Sequence, residues 1–143
     1  MSQSFEPVEF LDVAIEICTK ARALSYPSEP WVRTAAGRAY YGLYLIVRSA
    51  IADRHNISQR RLNHGAVCSH LQNSRLSHDV RAVGRHLEYL YALRRRADYE
   101  LLPERHWQVR LSDPNAVMAL TLEADRLART VPHLDFTPIA HLF

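Results

Sequence analysis

The stretch VRAVGRHLEYLYALRRRADYEL, residues 80–101, carries Val80, Val83, Leu87, Leu90, Arg94, Ala97 and Leu101 in alternating steps of three and four. That spacing puts all seven on one side of an α-helix, as a seam against which neighbouring helices pack. Arg94 is the anomaly on the seam. A guanidinium against a core is costly unless an anionic or hydrogen-bonding partner receives it. A second stretch shares the peculiarity: Arg38-Ala39-Tyr40-Tyr41-Gly42-Leu43-Tyr44 puts arginine and tyrosine where a bundle would ordinarily use aliphatics.

Outward from these stretches the pattern stays helical. Val8, Leu11, Ala14, Ile15, Cys18, Ala21 and Leu24 predict a helix over about 8–25, which Tyr26-Pro27 ends. Ser28-Glu29-Pro30 restarts a helix, a capping residue followed by an early proline, predicted over 30–54. Its small residues Ala35, Ala36, Gly37, Ala39 and Gly42 suit close approach by another helix. A short helix is predicted over 64–73 and the seam helix over 78–101. Asp113-Pro114 supplies an N-cap and an N1 proline for a last helix over 114–131. No segment alternates long enough for a sheet. The expectation is an all-α, up-and-down bundle of four to five helices forming a single domain over 1–143.

Composition narrows the function classes. The chain has 143 residues, enough for a core without staples, and 48% apolar with 23% charged residues reads as globular. The longest apolar runs fall far short of a membrane span, and the start Met1-Ser2-Gln3-Ser4-Phe5-Glu6 lacks signal-peptide character, so a cytoplasmic protein is expected. Cys18 and Cys68 have no CxxC spacing, and the eight histidines include no HExxH, so neither a metal site nor a cofactor is expected. Four glycines make no phosphate-cradling loop. The net charge of +3 is modest, but arginine supplies every positive side chain except Lys20. Arginine forks suit phosphates and stack on bases, although a GC-rich genome gives the same bias. No helix-turn-helix spacing with a basic recognition helix argues for DNA.

Arg94 and Asp98 are i,i+4 neighbours and can pair, as structural arginine–aspartate pairs commonly do, whereas Tyr99 lies on a different helix face. Thr34, Arg38, Tyr41, Leu45 and Arg48 form a stripe of mixed character on the second helix, which also reads as an amphipathic face with snorkelling arginines. His64 opens the third helix, where it can reach a neighbouring helix or solvent.

Taken in order, Arg38-Ala39-Tyr40-Tyr41-Gly42, then His64-Gly65-Ala66-Val67, then Arg94-x-x-Ala97-Asp98-Tyr99 resembles the HEPN family over roughly Val8 to Leu101. The resemblance implies a HEPN-like bundle and a protein that binds RNA or cleaves it without metal, in a toxin–antitoxin, stress or phage-defence setting. It also implies a homodimer and, as partner, an antitoxin or nucleotidyltransferase. By the same resemblance the catalytic set is Arg94 on phosphate, Asp98 orienting it, Tyr99 beside them and His64 as proton carrier. Arg38, Tyr41, Arg95 and Arg96 bind RNA or support the site. Tyr99 is in addition a candidate for modification by such a partner.

The chain departs from the family in one place. The family's ribonucleases carry a histidine separated from the arginine by four to six residues, and Tyr99 to Pro103 fill those positions here. Arg48 with His55, Arg81 with His86 and Arg126 with His133 reproduce the spacing elsewhere, about as often as composition alone gives. The alternative is a non-catalytic module that dimerises and binds a protein partner through the same residues.

Overall fold

Two side chains show how the sequence starts its helices. Asn63 Oδ1 accepts from the Ala66 amide at 2.8 Å, and Asp113 Oδ1 accepts from Asn115 and Ala116 at 3.0 and 3.4 Å. Each satisfies amides that have no intrahelical acceptor in the first turn. The computed structural model describes residues 6–23, 29–73, 75–99, 111 and 113–136, and of Asp98 and Tyr99 only the backbone. Among these residues there are five α-helices and no strand. The helices are α1 (Val8–Ala23), α2 (Glu29–His55), α3 (His64–Leu71), α4 (His78–Tyr99) and α5 (Pro114–Thr130). Single 3₁₀ turns at Gln59–Arg61 and Val131–His133 follow α2 and α5.

The predicted boundaries differ at the ends. The Gln72 amide turns back to the Cys68 and His70 carbonyls, closing α3 at Leu71 rather than at residue 73. Asn56 takes φ 52° and the Ile57 amide reaches the Ala52 carbonyl at 3.0 Å, so a left-handed residue stops α2 after His55. Leu24 and Leu101, predicted as final seam residues of the first and fourth helices, lie outside the described residues.

α2 packs against α1, α3, α4 and α5, and α1 also packs on α5. The core runs through all of them, with Leu11, Val32, Leu43, Val47, Ile51, Leu62, Leu71, Leu87 and Leu90 fully buried. Of the seam on α4, Val80, Val83, Leu87, Leu90 and Ala97 are buried and Arg94 is half-buried. Two contacts leave no room for a side chain. A Cβ on Gly42 would stand 2.7 Å from Leu11 Cγ of α1, and one on Gly84 would stand 2.7 Å from Leu71 Cβ of α3.

A third device joins α2 to α4. Arg33 donates to the carbonyls of Arg96 and Ala97 at 2.9 and 3.1 Å while holding Glu29 at 3.0 Å. The last carbonyls of a helix lack amide partners and carry partial negative charge, so a guanidinium there is favourable. No helix among the described residues is long and apolar enough to cross a membrane.

The rigidity of the α3–α4 contact gives a direct expectation. Gly84→Ala forces Cβ against Cβ and costs about 1–3 kcal/mol of unfolding free energy, as overpacking does. Gly65→Ala, whose added methyl meets nothing closer than Asn63 Oδ1 at 3.5 Å, is neutral or slightly stabilising. Urea unfolding of the two variants checks the contrast.

Candidate nucleic-acid interface

Tyr40 and Tyr44, one turn apart on α2, are buried with their rings stacked at 5.6 Å and 8°. Burial obliges each hydroxyl to find a partner. Tyr44 donates to the Leu62 carbonyl at 2.6 Å, and Tyr40 meets His64 Nδ1 at 2.9 Å. The Asn63 cap sets His64 at the first position of α3, from where its ring reaches back over the bundle. That ring lies nearly flat on Tyr91 of α4, with centroids 3.6 Å apart and planes at 18°. Its Nε2 is 3.4 Å from Cys68 Sγ. One imidazole therefore ties three helices together.

Arginines cap the outer faces of these rings. Arg94 crosses from α4 with Cζ 5.0 Å from the Tyr41 centroid and 5.8 Å from that of Tyr40. Its Cγ lies 3.9 Å from the Cβ position of Gly37, an ordinary van der Waals distance. Arg48 stands 5.3 Å from the Tyr44 ring, Arg95 5.9 Å from Tyr91, and Arg38 5.5 Å from Phe10 of α1. These are cation–π distances, so ring faces receive the charge that an aliphatic core would reject. Tyr41 is exposed and lies 6.3 Å from Phe10. Trp31, three turns earlier on α2, is 56% exposed.

The structure thus brings together Arg94, Tyr41, His64 and Arg95 of the residues singled out in the sequence. Arg38 does not face Arg94. Gly37 is the position under Arg94, and Arg38 is displaced from it by about 100° around the helix, which aims it at α1. Arg96 contributes its carbonyl to Arg33. The Arg94–Asp98 pair and the placing of Tyr99 fall on side chains outside the described residues. Sequence reasoning missed Tyr40, Tyr44 and Tyr91 as the rings that receive arginine and histidine, and Arg33 as the cap. The i,i+4 spacing of Tyr40 and Tyr44 was the available signal. Nothing in the sequence pointed from Arg33 to α4.

Electrostatics fix the protonation states. Burial holds His64 below the ordinary histidine value, with Glu88 partly opposing it, so the ring is neutral at neutral pH. Burial also raises the Tyr40 phenol, Tyr44 and Cys68 add to the rise, and Arg94 opposes it. Burial, helped by Glu88, pushes the Cys68 thiol up to about 12, so it is no nucleophile. Glu88 itself accepts from Gln72 at 2.7 Å. With Tyr40 at one nitrogen and Cys68 at the other, His64 is a pinned imidazole. Among the described residues no three histidine, cysteine, aspartate or glutamate side chains gather as a metal-binding group.

Comparison with family models, with curated proteins and with solved structures gives no match to this chain.

Two outcomes follow from this geometry. Tyr44→Phe leaves the buried Leu62 carbonyl without its donor and costs about 1–3 kcal/mol. Denaturant unfolding reads that loss. Second, His64, His70 and His86 are all held low by burial. Between their folded-state values and about 6.5, the unfolded chain binds protons that the folded chain does not. Stability is therefore level above that window and falls as pH drops through it. Tm measured from pH 8 to pH 5 should decline on the acid side, and His64→Gln should reduce the slope.

Proposed function

We propose that this chain is a HEPN-like up-and-down bundle that binds RNA through the arginine–tyrosine face of α2 and α4. The observation that supports the reading is the contiguous set of guanidiniums laid on ring faces: Arg94 on Tyr40 and Tyr41, Arg95 on Tyr91, and Arg48 on Tyr44. Rings and guanidinium planes are the surfaces on which unstacked bases pile, and the same cations attract phosphate. Single-stranded RNA is the ligand this chemistry favours. The resemblance adds a homodimer and a toxin–antitoxin, stress or phage-defence setting, in a cytoplasmic protein.

Cleavage without metal is the further step of this reading. Arg94 would stabilise charge on the phosphorane, and His64 would carry the proton from a 2′-hydroxyl. His64 would first have to give up Tyr40 or Cys68. Binding without cleavage therefore fits the resting arrangement better.

A second reading has an observation in its favour. Exposed Trp31 and Tyr41 on the open side of α2 suit a protein partner such as a nucleotidyltransferase or antitoxin, the rings serving as anchors.

Fluorescence anisotropy with a short single-stranded RNA tests the proposal. Tyr41→Ala and Arg95→Ala should each weaken binding by roughly tenfold, in keeping with about 1–3 kcal/mol per stacked base. Duplex RNA should bind more weakly, and affinity should fall with added salt. Absence of binding by the wild-type protein at low salt rejects it. Incubation of RNA in EDTA decides cleavage separately, since uncut RNA that still binds leaves the binding reading intact.

A further inference from the structure

The arginine–tyrosine face does not stop at α2. Starting from α4, Arg95 lies 5.9 Å from the Tyr91 ring, Tyr91 lies 5.5 Å from Tyr40, and Arg94 stands over both Tyr40 and Tyr41. Tyr41 continues the line to Phe10 of α1 at 6.3 Å, and Arg38 stands 5.5 Å from the Phe10 ring. Rings and guanidiniums thus interleave in one line across three helices, and the arginines at its two ends, Arg95 and Arg38, are both exposed.

The packing of α1 on α2 fixes the far end of this line. Leu11 follows Phe10 and Gly42 follows Tyr41, and a Cβ on Gly42 would stand 2.7 Å from Leu11 Cγ. The two helices are therefore locked together one residue beyond each ring. Phe10 is half-buried beside the exposed Tyr41. A ring held in this way loses little freedom when a flat ligand stacks on it.

We propose that Phe10 and Arg38 form the terminal subsite of the RNA face, so that a single strand crosses from α4 over α2 and sets an end base on α1. The inference rests on the RNA-binding reading above and adds to it a third helix and a path. Spacing selects the ligand. Steps of 5.0 to 6.3 Å exceed the ~3.4 Å between neighbours in a stacked strand, so the bases they hold must be unstacked from one another. An unpaired strand permits that and a duplex resists it. Charge sets where the strand stops. Glu6 and Glu9, just ahead of Phe10 in the chain, are both exposed, and their carboxylates repel a phosphate carried further along α1. Arg38, on the α2 side of Phe10, is the cation that receives the final phosphate.

Fluorescence anisotropy with a ladder of oligouridylates, from the dinucleotide to the octanucleotide, reads the subsite. Affinity of the wild-type protein should rise with each added nucleotide and level off once the strand reaches α1. Arg38→Ala and Phe10→Leu should each weaken the longest strand by roughly tenfold, as loss of one stacked base does, and reach their plateau at a shorter length. Arg38→Lys keeps the charge without the flat guanidinium and should recover only part of the loss. The inference is overturned if either variant binds the longest strand as the wild-type protein does, if they weaken every length by one common factor, or if Arg38→Lys restores wild-type affinity. Should Phe10→Leu not fold, crosslinking on the wild-type protein decides. Thiouridine at one end of the strand must attach to α1, and attachment of both ends only to α2 and α4 rejects the subsite. Failure of the wild-type protein to bind any strand removes the reading on which the subsite rests, whereas binding with unaltered variants removes the subsite alone.

Discussion

The packing of this bundle follows from the load on α2. A helix of 27 residues that meets α1, α3, α4 and α5 has few positions left for solvent, so what each residue presents is decided by which neighbour it must admit. Where α1 comes closest the residue is Gly42, whose Cβ position is 2.7 Å from Leu11 Cγ. On either side of Gly42, Tyr40 and Tyr44 fill the interior with rings whose hydroxyls need partners. Those partners, His64 and the Leu62 carbonyl, come from the segment that leads into α3. Packing and polar satisfaction are thus met by the same side chains.

That arrangement explains how a cation can sit on a packing seam. Arg94 would be expensive against aliphatics, but ring faces carry partial negative charge and accept a guanidinium at 5–6 Å. With Arg94 on Tyr41, and Arg48 and Arg95 each on a ring, positive charge is held in fixed positions at the edge of the core. A surface ordered in this way loses little side-chain freedom when an anionic, aromatic ligand arrives. The neutral, doubly engaged His64 supports the site from below as a strut.

Histidine has a different role at each place where the bundle uses it. His64 stacks and bonds between tyrosines, His86 reaches the Leu120 carbonyl of α5 at 3.0 Å, and His70 meets His55 under the chain end. Burial lowers the proton affinity of His64, His70 and His86, so acid acts on three joints of the structure at once.

The sequence by itself determined the helices. The three-and-four spacing of Val80 to Ala97, the Asn63 and Asp113 caps and the breaks around Asn56 are local signals, because helix formation depends on neighbours within a turn or two. It also marked Arg94 and Tyr41 as out of character for a core. It did not reveal what receives them. That Arg38 turns to Phe10, that Arg94 lies over Gly37, and that Arg33 reaches the end of α4 all depend on which helix stands beside which. So does the meeting of His70, His55 and Phe136, drawn from three separate parts of the chain. Contacts of that kind are fixed by the packing of whole helices, and no short-range pattern encodes them. The arginines were legible as a question, and only the tertiary structure supplied the rings that answer it.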